Sequence, residues 1–195
     1  CWDINNKLMK LKITKFKSIT STNDEAIKLI QSGKVTSGLI SADLQTKGRG
    51  TMGKKWISKK GNVFISIFFK VNVTKINIEN FLIINAKIIK KILKNYTKKK
   101  ITIKKPNDLL IQNKKICGIL QEVVEFKNNK FLITGVGINT TVTPINKKFI
   151  STCLQEHTEI IINNLDIIKN IKIMYEKIIN EFKNNNFTSI KNKYI

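Results

Sequence analysis

The chain has 195 residues, 42% of them hydrophobic, and a formal net charge of +23. That length supports one sizeable core, and that apolar content excludes a disordered chain. No apolar run reaches the ~18 residues of a membrane span, and the opening Cys-Trp-Asp-Ile-Asn-Asn lacks the cationic flank and apolar stretch of a signal peptide.

Leu11 to Phe16 alternates imperfectly and predicts a strand. Thr22-x-x-Glu25 reads as a capping box, so a helix is expected from about Asn23 to Gly33. Gly38 to Asp43 and Gly61 to Val71 read as strands around a glycine-rich loop. Asn77 is the expected cap of a long helix whose stripe runs from Phe81 to Leu93 and ends in the cationic stretch Asn95 to Lys100. Pro106-Asn-Asp predicts a turn between two short strands, and Asn113-Lys114 a second turn. Ile116 to Phe126 and Phe131 to Ile138 are strands joined at Asn128-Asn129. A short helix over Ser151 to His157 and a longer one over Asp166 to Lys183 close the chain. Consecutive hairpins rule out a doubly wound parallel sheet and predict one α+β domain over residues 1–195, with a mixed, largely antiparallel sheet flanked by helices.

The chemistry concentrates in the loop Thr46-Lys-Gly-Arg-Gly-Thr-Met-Gly-Lys-Lys-Trp56. Glycines let backbone N–H groups approach a ligand, successive N–H groups make an anion nest, and the cations add full charge. Gly48-x-Gly50-x-x-Gly53 matches a dinucleotide fingerprint by letter, and Gly48-x-x-x-x-Gly53-Lys54 nearly matches a P-loop. Both need a helix to begin at the glycines, and here a strand follows instead. The bland alternative is a solvated basic hairpin. The preferred reading is a ligand-covering loop between strands.

Other ligand-like positions lie at element ends: Ser21, Thr22 and Asn23, then Gln45, Lys104, Asn107, Lys115, Gly118 and Asn139. For Ser21-Thr22-Asn23, helix capping alone is a sufficient explanation from that stretch. Cys1, Cys117 and Cys153 form no disulfide framework and no metal spacing, which suits a reducing cytosol. His157 is the only histidine and no nucleophile elbow accompanies it, so a Ser-His-Asp triad has no basis. Lysine is spread through strands, helices and loops alike with isoleucine and asparagine, the mark of a coding bias toward A and T. Arginine, whose fork suits phosphates and bases, is scarce, Arg49 being the obvious one. The charge therefore reads as solvated surface, with non-specific polyanion affinity as a by-product and no specific DNA partner. Cations for phosphate, amides for a polar ring and an aromatic face, without a nucleophile, suit activation of a carboxylate by a nucleotide.

In order, Ser21-Thr22-Asn23, Gln45, Gly48 to Trp56, Lys105-Pro-Asn-Asp-Leu109, Lys115-Ile-Cys-Gly-Ile-Leu120 and Gly135-Val-Gly-Ile-Asn139 resemble the catalytic domain of biotin–protein ligases over about Lys15 to Asn139. The resemblance implies a sheet as in class II aminoacyl-tRNA synthetases. It implies ATP and Mg²⁺ as cofactors, formation of biotinyl-5′-AMP, and transfer to a lysine of a biotin carboxyl carrier protein. Ser21, Thr22, Asn23, Gln45, Gly48, Gly50 and Gly118 would surround biotin. Arg49 and Lys115 would be catalytic, gripping its carboxylate and the α-phosphate. Arg49, Thr51, Trp56, Lys104, Asn107 and Asn139 would bind the nucleotide, and no protein metal ligand is implied. The setting implied is cytoplasmic, away from any membrane, and a homodimer is compatible with it.

Three departures stand out. Thr51 replaces the second arginine of the usual Gly-Arg-Gly-Arg loop, which predicts a leakier acyl-adenylate. Lys105 replaces the usual aromatic residue. An N-terminal winged-helix domain and a C-terminal β-barrel are expected to be absent, which argues against repressor activity. The rivals are lipoate or octanoate transfer on the same fold, whose Arg-Arg-x-Ser-Gly-Gly-Gly loop is not found, and a non-catalytic basic protein that binds biotin or polyanions.

Overall fold

A computed structural model describes residues 8–71, 78–145 and 149–184. The strands are β1 (Ile13–Phe16), β2 (Ser37–Ala42), β3 (Val63–Val71), β4 (Ile101–Lys104), β5 (Asp108–Ile111), β6 (Lys114–Phe126) and β7 (Asn129–Ile138). They form one sheet in the order β1-β2-β3-β7-β6-β5-β4. Only β1 and β2 run parallel, and every other pair is antiparallel. The expected mixed sheet with flanking helices is therefore the one found. Among the described residues no helix is long and apolar enough to cross a membrane.

The helices are α1 (Thr22–Gln31), α2 (Ile78–Leu93) and α3 (Asn164–Asn184). β3 is buried at eight of nine positions, because both faces of the sheet are covered. On one face Ile65, Ile67, Leu132 and Val136 pack with α2 and α3. On the other, Ala26 and Ile30 of α1 pack on Ile40, Phe68, Phe131 and Ile133. Each fully buried Val, Leu, Ile or Phe among these stabilises the fold by roughly 1.5–3 kcal/mol. α1 is short, so it covers only part of its face. Beyond Ile133 the same face of β7 carries Gly135 and Gly137, and the uncovered area becomes the pocket.

Several local expectations shift. Ser21, not Thr22, caps α1, its Oγ accepting the Asp24 N–H at 3.4 Å. The hairpin turns sit one residue early, at Gln112-Asn113 and Lys127-Asn128, where all four residues have positive φ. That is the backbone of two-residue hairpins whose twist matches the strands. Between Ser151 and His157 only Leu154–His157 forms a helical turn, and it is 3-10. Asn77 lies outside the described residues. β1 starts at Ile13, while Leu11 is 2% exposed and donates its N–H to Glu176 Oε1 at 2.6 Å.

Candidate active site

The glycine loop is a small hairpin. Gly50 N donates to Lys54 O at 2.7 Å and Trp56 N to Gly48 O at 2.9 Å. Its tip reverses through Met52 and Gly53, both at positive φ, a backbone that costs glycine little. Gly48 is glycine for a different reason: a Cβ there would lie 2.8 Å from Trp56 O. The base of the loop is tied to the entry of α1, Lys47 N donating to Thr20 O at 2.8 Å.

Below the loop is a pocket open to solvent. Its floor is made by β6 and β7, where Gly118 stands directly opposite Gly137 and Leu120 opposite Gly135. The missing side chains make room. The Trp56 ring lies on Gly118 and Gly137, and the Asn23 amide lies on Gly135. The indole Nε1 is buried without a partner among the described residues.

Lys115 and Gly118 both line the pocket although they are three residues apart. Alternation in a regular strand would send them to opposite faces. The register slips at Leu109/Leu110, where Cys117 and Lys115 pair with successive residues and Ile116 is extra. This bulge turns Lys115 back to the pocket face. Its Nζ is 2.7 Å from Asp108 Oδ1, and lies 5.3 Å from the Trp56 ring centroid and 5.0 Å from that of Phe149.

At the other end, Thr22 N donates to Gln45 Oε1 at 2.8 Å, and Gln45 Nε2 donates to Ser58 Oγ at 3.2 Å. Buried Ser66 of β3 supports this wall, its Oγ 2.7 Å from Thr22 Oγ1 and touching Asn23 Oδ1. Arg49 spans the rim. Its two terminal nitrogens each lie 2.8 Å from one oxygen of Glu122, and Nη2 is 2.9 Å from Asp24 Oδ1. Hydrogen bonding to Glu122 holds the guanidinium pKa above its already high ordinary value, against an opposing effect of burial.

Residues 15–139 match the sequence profile of the Biotin/lipoate A/B protein ligase family. The chain belongs to that family. It is similar to the Bifunctional ligase/repressor BirA of Bacillus subtilis (strain 168), 30% identical over 179 residues, covering 89% of this chain and 55% of the relative. The BirA of Escherichia coli (strain K12) is 28% identical over 136 residues, covering 68% and 42%. The chain thus spans about half the length of these curated relatives. Among solved structures, the biotin protein ligase from Aquifex aeolicus in complex with biotin and ATP superposes with a TM-score of 0.75 at 27% identity, covering 94% of this chain and 76% of that one. The Leishmania major biotin protein ligase in complex with biotinyl-5-AMP shares the fold, with a TM-score of 0.76 at 21% identity, covering 94% and 79%.

Within this family member the pocket gathers Ser21, Thr22, Asn23, Gln45, Arg49, Gly50, Thr51, Trp56, Asn107, Lys115 and Gly118. Gly48 packs behind the wall. Two expected nucleotide residues stand off it. Lys104 is exposed at the hairpin end opposite Asp108. Asn139 is 1% exposed and braces the following segment, its Nδ2 donating to Lys115 O at 3.3 Å and Thr152 O at 3.2 Å. Sequence reasoning missed Asp24, Glu122, Ser66, Ser58 and Phe149. Asp24 passes for an ordinary first-turn acid and Glu122 for a surface residue of an alternating strand, and neither type nor spacing marks them as the partners of Arg49. Burial pushes the Cys117 thiol far up, so no thiolate is available there. Among the described residues no three His, Cys, Asp or Glu side chains gather as a metal cage.

Proposed function

We propose that the chain activates biotin with ATP and transfers the acyl group to a lysine of a biotin carboxyl carrier protein. One observation carries this reading: Arg49 and Lys115, from elements 66 positions apart in sequence, converge on one pocket whose far end is lined by hydroxyls and amides. Membership of the family supports it, as does a 27% identical relative solved with biotin and ATP.

In the first step a biotin carboxylate oxygen attacks the α-phosphorus of ATP, and pyrophosphate leaves with the electrons of the broken P–O bond. Arg49 and Lys115 neutralise the charge that grows on the phosphoryl oxygens and hold the two anions together. Ser21, Thr22, Asn23 and Gln45 orient the polar ring end of biotin. Trp56 offers its face to a ring, while Thr51 and Asn107 border the nucleotide. Lys104 and Asn139 keep a nucleotide role only through a shift toward the ligand. Mg²⁺ would arrive with ATP, held mainly by phosphate oxygens and water. In the second step a neutral lysine amine attacks the acyl carbon, AMP leaves, and the nitrogen gives up a proton. A reducing, ATP-rich cytoplasm suits both steps.

The test is single-turnover formation of biotinyl-5′-AMP from biotin, ATP and Mg²⁺, followed by addition of an apo carrier domain. Adenylate formation and transfer support the reading. Adenylate formation with lipoate or octanoate but not biotin would replace it with the other branch of the family. A folded protein that forms no acyl-adenylate with any of these acids would refute both.

A further inference from the structure

Arg49 is the only arginine in the chain, among 36 basic residues. An arginine over a pocket proposed for anions would be expected to face solvent until the ligand arrives. Instead it is held by protein. Glu122 accepts from Nη1 and Nη2 at 2.8 Å each, and Asp24 lies 2.9 Å from Nη2. Glu122 also accepts from Asn23 Nδ2 at 2.6 Å. One carboxylate on β6 therefore ties the loop to the first turn of α1. We propose that Glu122, assisted by Asp24, is a positioning residue that pins Arg49 and pre-organises the glycine loop over the pocket before any ligand binds.

The geometry suits holding rather than blocking. A guanidinium has five N–H groups. Glu122 takes two and Asp24 one, which leaves two for an incoming carboxylate or phosphate. The bidentate pairing fixes the plane of the fork as well as its place. Asp24 sits where a helix N-terminus favours negative charge, so its position costs little. The loop needs such an anchor: its tip carries two positive-φ residues, and its glycines contribute no side-chain packing. Neither acid is a catalytic residue, because both act through Arg49.

Hydrogen exchange of the loop and single-turnover adenylation test this together, and only the second rests on the proposed function. The proteins are wild type, Glu122→Gln, Arg49→Gln and the double variant. The anchor predicts about tenfold faster exchange at the Gly50 and Trp56 amides in Glu122→Gln, with α2 amides unchanged. It predicts adenylation roughly 10–100-fold slower, the scale on which a misplaced catalytic group acts. In the Arg49→Gln background Glu122→Gln should change either quantity by less than about twofold. Unchanged loop exchange in Glu122→Gln overturns the proposal, and so does a rate loss that persists without Arg49. If wild type forms no adenylate, the proposed function falls while the exchange data alone uphold or overturn the anchor.

Discussion

Replacing Gly118 by Ala puts a methyl group where the Trp56 ring now lies. The added Cβ would be 2.6 Å from Trp56 Cζ3 and 3.2 Å from Lys115 Cε. Carbon atoms pack at about 3.5–4.0 Å, so the indole must withdraw by about 1 Å. Overpacking of a closed core costs ~1–3 kcal/mol. The pocket is open on one side, which lets the ring lift and keeps the cost near the lower bound. A loss of ~1 kcal/mol lowers Tm by about 2–4 °C for a chain of this size. The lifted indole meets more water, and its emission shifts to the red. In a Trp2→Phe background Trp56 is the only tryptophan reporting. Emission maximum and thermal melting of Gly118→Ala give both numbers. Trp56→Ala added to Gly118→Ala should remove the clash, so the glycine substitution becomes nearly neutral in that background. Unchanged emission at wild-type Tm would refute the packing argument, as would an equal destabilisation with and without the indole.

Lys115→Met keeps the stem and removes the charge, and adenylation should slow by about 10²–10³-fold, as for loss of a transition-state donor; a rate within threefold of wild type would exclude Lys115 from catalysis. Thr51→Arg restores a fixed cation at the pocket edge and should reduce stray biotinylation of bystander lysines measured with biotin and ATP; equal labelling by both proteins would show that Thr51 does not cause leakage. Stability should also fall in mildly acidic solution through His157. Burial, helped by Lys114 and Lys99 and opposed by Glu156, holds its pKa below the ordinary 6.5. The folded state therefore binds fewer protons than the unfolded one. Its contribution is intact above about pH 6.5 and is lost as pH drops from there through the lower folded value. Thermal melts from pH 7.5 to 5.5 should fall less steeply for His157→Gln, and parallel slopes would dismiss the effect.

The apolar runs and helical periods of this sequence, with the turn residues that bound them, were enough to determine most elements, because burial shows directly in residue type. β3, β6, β7, α1 and α3 all lie within a few residues of where those patterns predict them. The glycine loop and the polar residues at element ends likewise marked most of the pocket wall. Three features had to wait for the tertiary structure. The turn of Lys115 toward the pocket depends on a one-residue register slip at Ile116, and register comes from the pairing of β5 with β6. The hold on Arg49 joins residues 73 positions apart, and a lone glutamate in an alternating strand carries no mark of its partner. Asn139, expected beside the nucleotide, is 1% exposed, its Nδ2 donating to two backbone carbonyls while its Oδ1 has no partner among the described residues. Local sequence determines which conformations a segment prefers. Which side chains meet across the sheet is decided only when the strands close in one register and α1 leaves Gly118 and Gly137 to the Trp56 ring.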